Sequence, residues 1–340
     1  MVTDDQNSSK RKDDHLELAL SAQLCSSEND NRFYYEPMLS AHPNPDLNEL
    51  ECEFLDKKIG APIWISSMTG GSVEGRRINE NLARVAKKHS LPMALGSCRS
   101  LLDSDERFED FNMRPILGDL PLWANLGIAQ VEKLIEAEQE NKILELVEKL
   151  SADGLIIHVN PLQEWIQPEG DHIKYAPVET IKKCLELLNL PLIVKEVGQG
   201  MGPSSLRALM ELPLSAIEFG AFGGTNFSLM EGMRGDETEQ LRSSTLATLG
   251  HTAEEMVCMV NTLLELPGTC VKCREFIISG GVKGFLDGQY LIKKIGSKAV
   301  FGQAGTLLKY ARVSFEALDE YIEGQIEGLK LANSFTHLKK

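Results

Sequence analysis

The chain contains few of the signals that mark membrane, secreted or nucleic-acid-binding proteins. No apolar run approaches the roughly 18 residues needed to cross a bilayer. The N-terminal residues MVTDDQNSSKRKDD contain no apolar segment of the kind found in secretory signals. Basic residues number 35 against 50 acidic ones, which gives a net charge of −15 and disfavours non-specific binding to nucleic acid. We therefore expect a cytoplasmic protein that binds neither membranes nor nucleic acids.

The cysteines do not indicate a disulfide framework. There are seven, an odd number, and reduced thiols in the cytosol are the simpler interpretation. Cys270 and Cys273 form a single C-x-x-C, but a structural zinc site usually needs a second pair of ligands, which the sequence lacks. We expect two unligated thiols.

The acidic composition does not exclude a small anionic substrate, because one pocket can be basic on an acidic protein.

A repeated alternation of apolar runs and helical patterns indicates the fold. The 340 residues contain eight short apolar runs that end in small or polar residues, at 61–67, 92–96, 121–126, 154–160, 191–196, 216–220, 275–279 and 299–302. Amphipathic segments such as 131–150 and 178–188 lie between them. Eight strand–helix units predict an α/β fold of the (β/α)₈ TIM-barrel type. A doubly wound open sheet is the alternative, but SSMTGGS after the first run is not its G-x-G-x-x-G motif.

Two segments depart from this alternation. Residues 1–60 are predicted to form an N-terminal lead-in and lid, with a short helix near residues 13–22, and residues 61–340 the barrel domain. The sixth and seventh runs are separated by residues 221–274, far more than one helix requires. Since long insertions in such barrels tend to be functional, we expect an active-site loop and an additional helix there.

Glycine-rich loops follow the seventh and eighth runs. They read Ser279-Gly280-Gly281-Val282 and Gly302-Gln303-Ala304-Gly305, and each precedes a helical pattern. Glycines let backbone N–H groups approach an anion, and barrels commonly bind phosphate at these two positions. The loops alone could be tight turns, but two in succession favour a phosphate-bearing ligand. Lys195 lies inside the fifth run, where a lysine could stabilise an anionic ring system.

The fourth run carries the densest group of polar side chains. His158 and Asn160 are two residues apart and so share one face of the strand, and Gln163 and Glu164 follow directly. A single histidine would more often be structural, but here several hydrogen-bonding groups converge. Glu164 is a candidate Mg²⁺ ligand, because that ion commonly binds one or two carboxylates together with substrate phosphate oxygens.

Together these motifs resemble the type 2 isopentenyl diphosphate isomerases, FMN-dependent barrels that interconvert isopentenyl and dimethylallyl diphosphate. The resemblance extends from Arg11 to Tyr310, and the combination H-x-N-P-x-Q-E followed by Q-P-E-G-D is its most specific part. The matching segments are RKDDH at 11–15, SSMTGG at 66–71, GSCR at 96–99, ANLG at 124–127, HVNPLQE at 158–164, QPEGD at 167–171, VKEVGQGM at 194–201, GGTNF at 223–227 and SGGV at 279–282.

The resemblance implies a role for each matching residue. FMN would be held by Met68, Thr69, Ser97, Asn125, Lys195, Thr225, Gly280, Gly281, Ala304 and Gly305. The substrate would be bound by Arg11, Lys12, Arg99, His158, Asn160 and Gln163, the last three being the catalytic candidates, and Glu164 would bind Mg²⁺. It also implies an isomerase of isoprenoid biosynthesis with no net redox change, NADPH serving only to reduce the flavin. A homo-oligomer, a tetramer or an octamer, is implied as well.

The chain departs from the family pattern at three places. Cys98 stands where glutamine is expected, Asn226-Phe227 replace a small residue and tryptophan, and Glu218 occupies a sixth-run position where many members carry aspartate. Two other functions are the alternatives. An FMN-dependent 2-hydroxy acid oxidase would need a histidine base near an arginine after the late strands, and SGGV is not followed by H-x-x-R. A non-catalytic flavin-binding barrel would leave the polar group of the fourth run unexplained.

Overall fold

The structure is a computed structural model that describes residues 3–44, 47 and 49–339, with residues 3–9 as backbone only. Its strands are β1 (Phe33–Tyr35), β2 (Cys52–Phe54), β3 (Lys57–Ile59), β4 (Ile63–Ile65), β5 (Met93–Ala94), β6 (Leu122–Gly127), β7 (Gly154–Val159), β8 (Leu192–Glu196), β9 (Ala216–Glu218), β10 (Glu275–Ser279), β11 (Lys298–Gln303) and β12 (Thr336–Leu338). Its α-helices are α1 (Thr3–Leu18), α2 (Val73–His89), α3 (Arg114–Leu117), α4 (Ile128–Glu136), α5 (Asn141–Lys149), α6 (Pro161–Ile166), α7 (Pro177–Leu187), α8 (Pro203–Met210), α9 (Phe227–Gly232), α10 (Glu237–Leu246), α11 (Ala253–Glu265), α12 (Phe285–Lys294), α13 (Gly305–Ala311) and α14 (Phe315–Phe335).

Strands β4 to β11 form a closed barrel. Each pairs in parallel with the next along the chain, and β11 pairs with β4 to close the ring. Each of the eight predicted apolar runs overlaps one of these strands, although β6 and β11 extend one residue beyond their runs at one end or both. The prediction of a (β/α)₈ barrel is therefore confirmed, and the open-sheet alternative is wrong.

Large apolar side chains fill the barrel interior, and a hairpin closes its N-terminal end. Trp64, Trp123 and Ile193 pack inside with Phe54 and Ile59, which come from the β2–β3 hairpin and are almost fully buried. Burying side chains of this size contributes about 1.5–3 kcal/mol each. Because this end is filled, a ligand can enter the barrel only from the C-terminal ends of the strands.

Polar contacts fix the hairpin to the starts of the barrel strands. The Lys57 ammonium lies 2.6 Å from a carboxylate oxygen of Asp153, just before β7. The backbone N–H of Leu55 donates to Glu275, the first residue of β10, at 2.7 Å. Residues 52–59 thus pack as part of the barrel core, while the division into residues 1–60 and 61–340 stays a prediction.

The segment 131–150 differs from the single helical pattern read from the sequence. Helix α4 ends at Glu136 and α5 begins at Asn141. Between them Glu138 adopts a left-handed backbone with φ of 55°, which ends the helical path. The residues around the break are good helix formers, so apolar spacing alone does not reveal it.

Strands β1 and β12 lie outside the closed barrel. Strand β1 pairs antiparallel with β12, which joins the lead-in to the end of α14. Helix α1 spans Thr3–Leu18, so the helix predicted near residues 13–22 begins earlier and ends sooner than expected. Within the described ranges, no helix combines the length and apolarity that crossing a membrane requires.

Candidate active site

A glycine-lined cavity of about 290 Å³ opens at the C-terminal ends of β4 and of β8 to β11. This volume is close to the lower end of the range typical of small-molecule sites. Gly280 and Gly281, directly after β10, have φ values of 88° and 72°, a conformation that favours glycine. We call this space the cofactor cavity.

Most of the residues that the resemblance assigns to FMN meet in the cofactor cavity. Those lining it are Met68, Lys195, Thr225, Gly280, Gly281, Ala304 and Gly305. Asn125 lies one contact away, because its Nδ2 donates to the Oγ of the lining residue Ser67 at 3.1 Å. Thr69 accepts a backbone hydrogen bond from Gly96 at 3.1 Å, whereas Ser97 is exposed, and neither lines the cavity.

The polar side chains after β7 form a connected group. The Nδ2 of Asn160 donates to the Oε1 of Gln163 and to the Oε1 of Glu164, both at 3.0 Å. The other carboxylate oxygen of Glu164 accepts the backbone N–H of Asp171 at 2.7 Å. Asn160 is the N-cap of helix α6, which begins at Pro161, and this places all three side chains within about one turn. We call Asn160, Gln163 and Glu164 the β7 cluster.

His158 is held as a neutral imidazole beside the cofactor cavity. Its Nδ1 lies 2.7 Å from the Oδ1 of Asn125, an acceptor, so Nδ1 carries the proton and Nε2 can accept. Burial, and to a lesser extent the charge of Lys195, lowers the pKa of His158 to about 3. The side chain is therefore an uncharged acceptor at neutral pH.

This burial predicts that His158 destabilises the protein in acid. The unfolded chain binds a proton at the histidine near pH 6.5, but the folded chain does not until about pH 3. Stability is therefore full above pH 6.5 and falls as the pH drops towards 3. Between pH 7.5 and 5, wild type should lose about 2 kcal/mol more free energy of unfolding than His158→Gln.

Urea denaturation at the two pH values measures this difference. His337→Gln, which removes an exposed histidine from β12, is the matched control. If His158→Gln and wild type lost stability equally between pH 7.5 and 5, His158 would not be buried as a neutral group.

Asp171 connects the β7 cluster to basic residues. Its carboxylate accepts from Gln130 at 3.0 Å, lies 2.5 Å from the Lys133 ammonium and 3.3 Å from the guanidinium of Arg99. Burial alone would raise the pKa of Asp171, but the hydrogen bonds from Lys133 and Gln130 and the charge of Arg99 hold it below its usual value. Arg99 thus reaches the edge of the β7 cluster while remaining half-exposed.

Glu231 is a site residue that the sequence motifs do not assign to a role. It lies in α9 and is only 5% exposed. Its Oε1 accepts a hydrogen bond from Gln163 at 3.3 Å, and its Oε2 lies 2.5 Å from the guanidinium of Arg234. Arg234 in turn contacts Glu169 at 2.7 Å. The insertion predicted after the sixth strand thus covers the β7 cluster.

Arg11 and Lys12 are not brought to this site. Both lie exposed on α1, and within the described part of the chain no hydrogen bond or ion pair joins them to another residue. Their assignment to substrate binding stays a prediction.

No group of three or more His, Cys, Asp or Glu side chains suited to a metal ion occurs among the residues that the structure describes. The seven cysteines are free thiols, including Cys270 and Cys273. A divalent ion at Glu164 would therefore need other ligands from solvent or substrate.

A larger cavity of about 610 Å³ lies against the outer side of the barrel wall. It is bounded by Pro177 and Ile181 of α7, Ala208 and Leu209 of α8, and Met201. Its lining is largely aliphatic, but Asn160 and Gln163 of the β7 cluster also line it, as do Glu196 and His251. The β7 cluster therefore borders this cavity, whereas most of the residues assigned to FMN line the cofactor cavity.

Comparison with known proteins identifies the family. The chain is 34% identical to the isopentenyl-diphosphate delta-isomerase of Rickettsia akari over 324 residues, which cover 94% of this chain and 91% of the relative. It is 35% identical to that of Rickettsia peacockii over 334 residues, 97% and 94% of the two chains. The chain belongs to the isopentenyl-diphosphate delta-isomerase family. The resemblance drawn from the motifs and the prediction of an isomerase are confirmed at this level.

Solved structures similar to this isomerase-family chain share its fold. A mandelate oxidase variant with benzaldehyde aligns over 90% of this chain and 87% of its own, with a TM-score of 0.59 and 13% identity. Another, described with a monooxide FMN adduct, aligns with a TM-score of 0.54 and 12% identity. At such identities the likeness concerns the barrel alone. A search of family models gave no match.

Proposed function

We propose that the chain converts isopentenyl diphosphate to dimethylallyl diphosphate with reduced FMN and Mg²⁺, without net redox change, as a step of isoprenoid biosynthesis. NADPH would serve only to reduce the flavin. The observation that carries the proposal is the β7 cluster beside a glycine-lined cavity, in a chain of the isopentenyl-diphosphate delta-isomerase family.

The residues of the cofactor cavity fit FMN. Backbone N–H groups at Gly280, Gly281 and Gly305 are suited to its phosphate, since no side chain separates them from an anion. Lys195, 7% exposed, is a cation for the ring, and Asn125 offers polar atoms at the edge. Once bound, FMN would supply the group that exchanges protons with the substrate.

The β7 cluster fits a diphosphate and its metal ion. Mg²⁺ commonly keeps several waters and binds one or two carboxylates with substrate phosphate oxygens, so a single protein carboxylate is sufficient. Each oxygen of Glu164 accepts one hydrogen bond and has capacity for another contact. Arg99 and, in a closed state of the lead-in, Arg11 and Lys12 would supply positive charge.

Gln163 and Glu231 would serve the hydrocarbon part of the substrate. The Gln163 amide links Asn160 to the Glu231 carboxylate through hydrogen bonds of 3.0 and 3.3 Å. His158 would be an uncharged acceptor between these groups and the cofactor. We assign His158, Asn160 and Gln163 as catalytic residues and add Glu231 to them.

The oxidase alternative is weaker. It rests on the shared barrel of the mandelate oxidases, which at 12–14% identity does not extend to the site. No histidine occurs among the described residues that line the cofactor cavity, where a 2-hydroxy acid oxidase would need its base. A non-catalytic flavin-binding barrel would have no use for the β7 cluster.

An anaerobic assay tests the proposal. Purified protein is incubated with FMN, Mg²⁺, NADPH and isopentenyl diphosphate, and we expect dimethylallyl diphosphate to accumulate beyond the NADPH consumed. In a parallel incubation with a 2-hydroxy acid in place of isopentenyl diphosphate and NADPH, loss of that acid with reduction of FMN would instead favour the oxidase. If FMN is bound and reduced but no dimethylallyl product forms, the isomerase proposal is wrong.

Glu164→Gln should raise the Mg²⁺ concentration needed for half-maximal activity by about 10- to 100-fold, because the neutral amide is a weaker ligand for a hard cation. Titration of activity with Mg²⁺ measures this shift. The control is Glu132→Gln, another buried glutamate that accepts backbone N–H groups, here of Lys174 and Tyr175, but lies outside the cluster. An unchanged Mg²⁺ dependence in Glu164→Gln would exclude its role as a ligand.

We also propose that the enzyme is a cytoplasmic homo-oligomer, a tetramer or an octamer. The proposal rests on the family resemblance and on the acidic composition of the chain. Sedimentation equilibrium of the full chain tests it, and a mass equal to that of one 37.7 kDa chain would contradict it.

A further inference from the structure

Glu218 is a buried carboxylate without an explained role. It is the last residue of β9, it is fully buried, and neither carboxylate oxygen has a hydrogen-bond partner among the described residues. Burying an ionised carboxylate without a partner is costly. A group held in this way needs a compensating charge or a donor within its own cavity.

The neighbouring strand supplies that charge. Lys195 of β8 is the register partner of Glu218, so the two residues lie side by side in adjacent parallel strands. Both line the cofactor cavity. The Nζ of Lys195 donates to the backbone oxygen of Glu196 at 2.8 Å, which leaves two of its three N–H donors for other partners. A buried lysine and a buried glutamate therefore share the same wall.

The other charged side chains around the cavity do not replace Glu218. One carboxylate oxygen of Glu196 is held by the backbone N–H groups of residues 198, 199 and 200, at 2.7, 2.6 and 2.8 Å. Lys283 is exposed at the rim. Lys195 and Glu218 are therefore the charged residues of this cavity that are register partners in adjacent strands.

We propose that Glu218 is a positioning residue that offsets the charge of Lys195 and thereby sets how strongly the cavity stabilises reduced over oxidised FMN. The inference rests on the proposed binding of FMN. A cation near the ring favours the electron-rich reduced form, and a carboxylate beside that cation reduces its effect. Glu218 thus acts through Lys195 and keeps the inner wall close to neutral.

Redox titration of the FMN-loaded full-length protein tests this. Glu218→Gln removes the charge and nearly preserves the shape, so FMN should remain bound and its reduction potential should become more positive. We expect a shift equivalent to about tenfold tighter relative binding of the reduced form, which is about 30 mV for a two-electron couple. Lys195→Met should shift the potential in the opposite direction, and Glu132→Gln, outside the cavity, should not change it.

A double-mutant cycle shows whether Glu218 acts through Lys195. In the Lys195→Met background there is no cation for Glu218 to offset, so Glu218→Gln should shift the potential less there than in wild type. Additive shifts, or an unchanged potential in Glu218→Gln, would overturn the inference. If Glu218→Gln does not fold, Glu218→Asp, which withdraws the charge by one methylene, should give a smaller positive shift, and no shift would again overturn it.

Failure of the proposed function is a separate result. If wild type does not bind FMN, the proposed function fails before any variant is compared. If wild type binds FMN and isomerises isopentenyl diphosphate while Glu218→Gln retains the wild-type potential, only the role of Glu218 is wrong.

Discussion

Replacing Asn160 with aspartate should lower kcat/KM for isopentenyl diphosphate by about 100-fold while leaving FMN bound. In the wild type, one amide nitrogen donates to both Gln163 and Glu164. An aspartate side chain has no hydrogen-bond donor. Its oxygens would face the amide oxygen of Gln163 and the charged carboxylate of Glu164. Residues that orient a metal ligand typically affect metal affinity or activity by 10- to 100-fold, and the added like charge favours the upper end of this range.

Steady-state kinetics and flavin absorbance measure the two parts of this prediction. Asn261→Asp is a matched control, because Asn261 also donates through Nδ2, to Lys294, but lies on α11 away from the site. That variant should remain within about twofold of wild type. If Asn160→Asp retained wild-type kcat/KM, the hydrogen bonds of Asn160 would not hold the β7 cluster in its active geometry.

The barrel could be predicted because each strand has its own apolar pattern in the local sequence. The buried runs at 154–160 and 191–196 are nearly continuous in apolar residues, as strands buried on both faces must be, and both became strands of the closed barrel. The break between α4 and α5 could not be predicted, because it depends on the backbone of Glu138 rather than on hydrophobic spacing.

The part of the site that could be predicted consists of residues close together in the sequence. Asn160, Gln163 and Glu164 lie within one strand end and one helical turn, so their meeting follows from spacing. Glu231 reaches Gln163 across 68 positions of chain. No local periodicity fixes the path of the insertion that carries it, so spacing in the sequence does not place Glu231 at the site.

Glu218 also has a partner that the sequence pattern could not predict, although the two residues are closer in sequence than Glu231 and Gln163. The sequence marked it as a departure from aspartate on the sixth strand, but its pairing with Lys195 depends on the register between β8 and β9. Register in a barrel follows from closure of the whole ring, which single-strand patterns do not encode.

Gly280→Ala should destabilise the protein by about 2–6 kcal/mol and abolish FMN binding. Gly280 has φ of 88°, a conformation that costs a non-glycine residue about 1–3 kcal/mol. A Cβ there would lie 2.1 Å from the backbone oxygen and 2.3 Å from the backbone nitrogen of Ala221. Backbone cannot rotate away as a side chain can, and overpacking of this kind typically costs a further 1–3 kcal/mol.

The same clash would open the cofactor cavity. The N–H of Ala221 donates to the oxygen of Ser279 at 2.8 Å, which ties the loop after β9 to the end of β10. Displacement of Ala221 would break this hydrogen bond and move residues 221–225 away from the Gly280–Gly281 turn. Loss of FMN should therefore accompany the loss of stability, since both loops line the cavity.

Gly305→Ala provides the contrast that isolates this effect. Its Cβ would meet only the Oγ1 of Thr225, at 3.1 Å, and its φ is not positive, so the apo-protein should remain within about 1 kcal/mol of wild type. Urea denaturation without FMN gives the two stabilities, and fluorescence titration with FMN gives the affinities. Equal stability of the two variants would contradict a rigid contact between the loops. Wild-type FMN affinity in Gly280→Ala would contradict the assignment of the Gly280–Gly281 turn to the cofactor.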